Sequence, residues 1–222
     1  MKVSELLLDL LYPPKCVFCG TLLADCETDV CRKCRAALPE VDAPIKRGAY
    51  FRRCYALYYY EELVADSVRR YKFGGMQQYS RAYGRLLAMR LLREHVSFDV
   101  LTWVPISKRR RKKRGYDQAH LLAKETAKQL GVPCVPTLMK LRDNPPQSRS
   151  KDASERRGNV RGVYKAYRPD TFSDKRVLLI DDVITTGSTL SEAAAVLRMA
   201  GAASVECAVL AATRPPEDRK KA

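Results

Sequence analysis

The chain has 222 residues, 46% of them hydrophobic and 30% charged, with a formal net charge of +16 and a pI near 9.6. That balance excludes a disordered chain and leaves room for one full domain plus a small appendage. Cations in such excess repel one another until phosphates or acidic lipids neutralise them, so the composition calls for an anionic partner.

Ser4 opens a short amphipathic helix over residues 4–11, which Pro13-Pro14 stops. Its apolar run carries Asp9 and lacks a small-residue cleavage site, so it does not read as a secretory signal. Nor does the sequence contain an apolar stretch long enough to span a bilayer. Residues 15–38 form a cysteine-rich unit in which Cys16-Val-Phe-Cys19-Gly20 and Cys31-Arg-Lys-Cys34 are separated by eleven residues. Each Cys-x-x-Cys turn brings two thiolates to one point, and two such turns complete a tetrahedral zinc site. A redox dithiol is the rival reading, and Cys26 lies inside the unit as a substitute ligand. The segment is too small for a core of its own, so the metal folds it and serves structure alone. Thiols used this way point to a reducing cytoplasm. The expected organisation is an N-terminal helix and zinc ribbon over 1–38, a linker over 39–49, a main domain over 50–213 and a disordered tail over 214–222.

Within the main domain, Cys54-Tyr-Ala-Leu-Tyr-Tyr-Tyr60 has strand composition. Helical spacing runs over 62–73, ended by Gly74-Gly75, and again over 79–95. A buried-strand run covers 100–105, a basic loop follows, and a helix is expected over 117–130 with a further short strand at 132–135. Residues 142–162 are polar and rich in Pro, Arg and Ser; they read either as a lid carrying Gln147, Arg156 and Asn159 or as a plain flexible loop. A strand over 176–180, a helix over 188–200 closed by Gly201 and a strand over 205–211 complete the pattern. Alternation of near-continuous apolar strands with helices means an α/β fold whose parallel, twisted sheet is covered on both faces. Cys54, Cys134 and Cys207 sit in apolar contexts and read as packing residues.

Two features carry chemistry. The strand Val177-Leu-Leu-Ile180 runs straight into Asp181-Asp182, then Thr185-Thr186-Gly187-Ser188-Thr189 turns into a helix. Ligands collect at the carboxyl edge of a parallel sheet. Paired carboxylates there accept hydrogen bonds from a vicinal diol, while a glycine, hydroxyls and first-turn amides cradle a phosphate. A diol and a phosphate at this separation describe a ribose 5-phosphate. The sequence lacks the Gly-Lys-Ser/Thr of a nucleotide P-loop. The second feature is the run Lys108, Arg109, Arg110, Arg111, Lys112, Lys113 and Arg114. It projects from the same sheet edge to hold a pyrophosphate or a polynucleotide backbone, with Trp103 and Tyr116 nearby as stacking aromatics. For Trp103 a core position is the stronger reading. Neither histidine, His95 nor His120, is placed as a general base.

Asp181 to Thr189 resembles the signature of type I phosphoribosyltransferases. Together with the Cys-x-x-Cys pair, Val104-Pro105, Arg114-Gly-Tyr-Asp-Gln-Ala119, Gln147-Ser148, Arg156 and Asn159-Val160, it resembles the ComF family over nearly the whole chain. The resemblance implies a type I phosphoribosyltransferase sheet and a site for phosphoribosyl pyrophosphate (PRPP) with Mg2+. There Asp181 and Asp182 hold the ribose hydroxyls, as catalytic residues if the site turns over, and Thr185 to Thr189 wrap the 5-phosphate. It also implies a role in natural transformation, handling single-stranded DNA beside a helicase-like competence protein and a recombination mediator at the inner face of the membrane. Two other functions stay open: an active metabolic phosphoribosyltransferase for a base or amine, and a non-catalytic adaptor. The basic run is longer than the family pattern suggests, and the second cysteine cluster carried by many similar proteins is reduced here to Cys54.

Overall fold

A computed structural model describes residues 13–45, 48–142 and 162–215. The helix expected at 4–11, the lid residues Gln147, Arg156 and Asn159, and the tail from 216 onward lie outside the described residues.

The sheet is built from β1 (Cys54–Tyr59), β2 (Val100–Trp103), β5 (Arg176–Ile184) and β6 (Ser204–Ala212), in the order β1-β6-β5-β2, and all three pairings are parallel. The short strand expected at 132–135 is a single parallel bridge, Leu101 to Cys134. The Leu101 amide donates to Pro133 and the Val135 amide to Leu101, which extends the sheet by one rung beyond β2. A hairpin of β3 (Leu138–Lys140) and β4 (Tyr164–Ala166), absent from the sequence expectations, pairs antiparallel beside the sheet. It is short, and the long segment between its strands hides the pairing from any local pattern.

Strand β5 shows why one face of the sheet differs from the other. Successive side chains point to opposite faces. Leu178 and Ile180 therefore pack with Tyr71, Tyr83, Leu122 and Leu87, on the side of α2 (Glu62–Phe73), α3 (Tyr79–Arg93) and α5 (Gln118–Leu130). Val177 and Leu179 pack with Phe172, Leu190 and Leu197 beneath α6 (Ser188–Met199). Both clusters are closed, as a sheet covered on two faces requires. Helices α3 and α5 approach closely at Gly84, where a Cβ would stand 2.6 Å from the Glu125 Cβ and 2.9 Å from that residue's backbone carbon.

The cysteine unit is fastened to this core. Phe18 meets Tyr58 edge-on at 5.4 Å and Tyr83 at 6.1 Å. The Ser67 hydroxyl donates to the Val17 carbonyl, and Arg70 donates to that of Phe18. Arg85 grips Asp29 through two nitrogens, with Nε 2.7 Å from Oδ2. The segment expected as a linker is also tied down. Residues 40–45 run antiparallel along β1 through bridges from Glu40 to Tyr58 and from Ile45 to Cys54, and the Val41 amide donates to Leu57. Two prolines and a glycine made this stretch look loose, but β1 is a sheet edge and its free backbone groups are satisfied by such a cover.

Candidate functional site

At the carboxyl ends of the strands lies a cavity of about 900 Å³. Its floor carries Asp181 and Asp182, one rim Thr185 and Thr189, and a wall Arg109, Arg110, Lys113 and Arg114. The two elements singled out in the sequence therefore face each other across one space.

The acid pair differs from the sequence reading in its setting. β5 continues to Ile184, so both aspartates are strand residues and their side chains take opposite faces. Asp182 turns toward the α2–α5 side, where it is buried and doubly engaged. Lys72 Nζ lies 2.8 Å from Oδ1, and Gln118 Nε2 donates to Oδ2 at 2.7 Å. Asp181 turns to the other side, takes the Asp182 amide at 2.8 Å and has no ion-pair partner among the described residues. Burial, and after it the neighbouring Asp182 charge, push the Asp181 carboxyl up to about 8. Asp181 is therefore the acid free to accept from a ligand hydroxyl, and Asp182 anchors Lys72 beside it.

The loop after β5 places Gly187 at φ 77, a left-handed conformation that favours glycine, and α6 begins at the next residue with no side-chain cap. The Ser188 amide donates weakly to the Thr186 hydroxyl at 3.4 Å, and the following first-turn amides are left for a ligand. Thr185 and Thr189 line the cavity, whereas Thr186 and Ser188 share a hydrogen bond at 2.9 Å on the exposed outer side of the turn.

The basic run is a helix rather than a loop, α4 (Lys108–Arg114). The Ser107 hydroxyl accepts the Arg110 amide at 3.2 Å, and Gly115 closes the helix at φ 87. Lysine and arginine are good helix formers, and a cap at each end holds even a run of like charge. Helical geometry also divides the seven cations: Arg109, Arg110, Lys113 and Arg114 line the cavity, and Lys108, Arg111 and Lys112 do not. The helix buries no residue. It is positioned from behind by Asp117, which caps α5 and accepts the Ile106 amide at 3.1 Å, and by Arg114, which donates to Gln118. Burial raises the Asp117 carboxyl, while the amides of Ile106 and His120 oppose that shift.

Neither expected stacking aromatic faces the cavity. Tyr116 is buried and its hydroxyl donates to the Tyr71 carbonyl, so it offers no open face and drops out of the nucleic-acid surface. Trp103 stacks on His120 with centroids 4.2 Å apart, and burial lowers the pKa of that histidine. Residues not singled out in the sequence supply what these lack. Phe73 stands exposed at the rim with the Arg114 guanidinium 4.8 Å over its ring. Lys72, Lys140 and Tyr164 also line the cavity, the Lys140 amine 3.3 Å from the Tyr164 hydroxyl. Lys72-Phe73 before Gly74-Gly75 was the available signal, since a helix that ends at a sheet edge delivers its last turn to the site.

Cys16, Cys19, Cys31 and Cys34 bring their sulfurs within 4.8 Å of one another, and Cys19 and Cys31 are 3.7 Å apart. Tetrahedral ligands about 2.3 Å from zinc lie roughly 3.8 Å from one another, so the group fits the metal. The Cys31 sulfur accepts the Cys34 amide at the start of α1 (Arg32–Ala37), and Gly20, at φ 78, turns the first knuckle. Among the described residues this is the single cluster of three or more histidine, cysteine or acidic ligands, and neither Cys26 nor Cys54 belongs to it. Three buried sulfurs and four protein ligands make it a closed, structural site.

Comparison with known proteins agrees with this division. Residues 117–222 match the phosphoribosyl transferase domain, and residues 7–45 match a double zinc ribbon domain. Competence protein F of Haemophilus influenzae is 29% identical, over 87% of this chain and 82% of that protein. Competence protein ComFC of Bacillus subtilis is also 29% identical, over 79% of this chain and 68% of that one. Among solved structures, the glutamine PRPP amidotransferase of B. subtilis with ADP and GMP is 26% identical with a TM-score of 0.42, covering 60% of this chain and 26% of that one. No helix among the described residues is long and apolar enough to cross a membrane.

Proposed function

The chain belongs to the ComF family, and from that premise we propose that it serves natural transformation by binding a ribose 5-phosphate ester in the β5 cavity and single-stranded DNA along α4. The observation that carries this reading is the juxtaposition of Asp181, Thr185 and Thr189 with four cations of α4 around one cavity. PRPP is the ester whose parts match that arrangement. Asp181 receives ribose hydroxyls, Thr185, Thr189 and the first amides of α6 receive the 5-phosphate, and the cationic wall receives the pyrophosphate.

Magnesium fits as a companion of that ligand. Mg2+ is held through one or two carboxylates together with substrate phosphates, and Asp181, on the cavity without an ion-pair partner among the described residues, would release its proton on taking the ion. When bound, the ion would neutralise pyrophosphate charge. The chain's own residues orient the ribose, with Lys72 held in place by Asp182. The zinc ribbon is a structural buttress in this reading. A helicase-like competence protein and a recombination mediator are the expected partners, meeting the protein in the cytoplasm at the inner membrane face.

Complementation tests the proposal. In Haemophilus influenzae lacking its competence protein F, expression of this chain should restore transformation. The quadruple variant Arg109→Gln, Arg110→Gln, Lys113→Gln and Arg114→Gln, made to the same level, should not. Equal rescue by both chains would remove α4 from the function, and rescue by neither would contradict the assignment to transformation.

A further inference from the structure

A second cleft lies where the ribbon meets the main domain, and it shares no residue with the cavity above β5. Its volume is about 210 Å³. Arg35 of α1 forms one wall, Arg90 and Arg93 of α3 another, and Glu40 of the strand-like cover a third. The apolar surface between them comes from Leu57, Leu86 and Met89.

Three observations set this cleft apart from an ordinary surface hollow. Arg90 is only 4% exposed, yet its Nε has no hydrogen-bond partner; its other contacts are Glu94 at 3.0 Å and the Asp42 carbonyl at 3.1 Å. A buried guanidinium nitrogen left without a partner is costly, although Glu94 already meets the charge of the side chain. Neither Arg35 nor Arg93 has an ion-pair partner among the described residues, although both stand near enough to the Tyr58 hydroxyl to oppose the rise that burial and Glu40 impose on it. Finally, Met89 is 55% exposed and Leu92, one turn further along the same helix, is 62% exposed. Exposed apolar side chains beside unpaired arginines around an indented apolar surface are what an interaction site presents.

We propose that this cleft is a docking site for an acidic peptide segment of a partner protein, one that carries an apolar anchor side chain. The anchor fills the space over Leu57 and Leu86 and is flanked by Met89. The acidic groups pair with Arg35 and Arg93. Glu40 sets the orientation, since it repels acids at one end of the cleft. A nucleic acid is disfavoured as occupant because the cleft is small, carries its own carboxylate and has an apolar floor. Because one wall is Arg35, next to the zinc ligand Cys34, the ribbon acquires a reading role that buttressing alone does not require.

Fluorescence anisotropy on the full chain tests the site, with a labelled octapeptide of six aspartates followed by Leu-Phe as the probe. The octapeptide should bind, and an octapeptide of eight aspartates should bind about tenfold more weakly. The surface variant Arg35→Glu/Arg93→Glu should weaken the Leu-Phe probe by about tenfold or more, since like charges set against each other are strongly unfavourable. The same variant should leave binding of an oligothymidylate unchanged. Three results would each overturn the proposal. One is equal binding of the two peptides. Another is loss of the Leu-Phe probe through neutralisation of α4 and not through Arg35→Glu/Arg93→Glu. The third is no binding to the wild-type chain.

Discussion

Helices α1 and α4 start almost identically and end up doing opposite work. Each is entered by an extended residue whose side chain accepts the amide three positions on, Cys31 for Cys34 and Ser107 for Arg110. Each is short, 6 and 7 residues, below the length at which a helix holds itself together in water. Helix α1 is secured by two metal-ligand cysteines, Cys31 and Cys34, both in the core, so its own anchorage is structural. Helix α4 buries nothing, and its seven cations are divided between the surface and the cavity. A local cap therefore does not tell a supporting element from one proposed to bind. Burial of the side chains it carries does.

Removing the metal should break the structural half of that contrast and produces the largest effect. Chelation, or Cys16→Ser with Cys31→Ser, should release one zinc per chain and undo the ribbon, since structural zinc contributes on the order of 10 kcal/mol in small modules. Phe18 packs against Tyr58 and Tyr83, so the main domain should also melt at lower temperature. Metal analysis and calorimetry check both, and a folded metal-free ribbon would contradict the site. Next comes Asp182→Ala, which leaves the largely buried Lys72 amine without its partner and should cost about 3 kcal/mol in denaturant unfolding. Gly84→Ala should cost about 2 kcal/mol, because its Cβ would meet backbone rather than a movable side-chain tip.

Separate from these is a pH effect centred on Asp181. Its folded pKa is raised from 3.8 to about 8, so between those values the folded state binds more protons than the unfolded state. Stability should therefore fall as pH rises through that window, and Asp181→Asn should flatten the dependence. The binding half of the contrast predicts the smallest stability change of all. Neutralising Arg109, Arg110, Lys113 and Arg114 should shift stability by less than about 0.5 kcal/mol. The same variant should shallow the log–log salt dependence of single-stranded DNA binding by roughly 0.7 for each DNA phosphate it no longer neutralises.

What the sequence disclosed followed the same division. The parallel sheet was legible because buried parallel strands are continuous apolar runs, and Val177 to Ile180 and Val205 to Ala211 are such runs. The Cys-x-x-Cys turns revealed the ribbon through spacing alone. The stretch from Asp181 to Thr189 was legible as a motif, but the roles of Asp181 and Asp182 were not separable, since the difference arises from Lys72 and Gln118 on distant helices. The basic run was read as a loop because its charge is uniform. Charge repulsion outweighs helix propensity on paper, and the caps at Ser107 and Gly115 reverse the balance. Tyr116 looked available for stacking because nothing local announces its hydrogen bond to the Tyr71 carbonyl. Residues 40–45 looked like a linker because pairing with β1 is a tertiary event.

A calorimetric titration of PRPP with magnesium at fixed ionic strength, on the wild-type chain and on Asp181→Ala, bears most directly on the cavity as a ribose-phosphate site. Saturable one-to-one binding to the wild type, weakened at least about tenfold in the variant, is the expected result. Absence of binding to the wild type, or the same affinity in both chains, would contradict it.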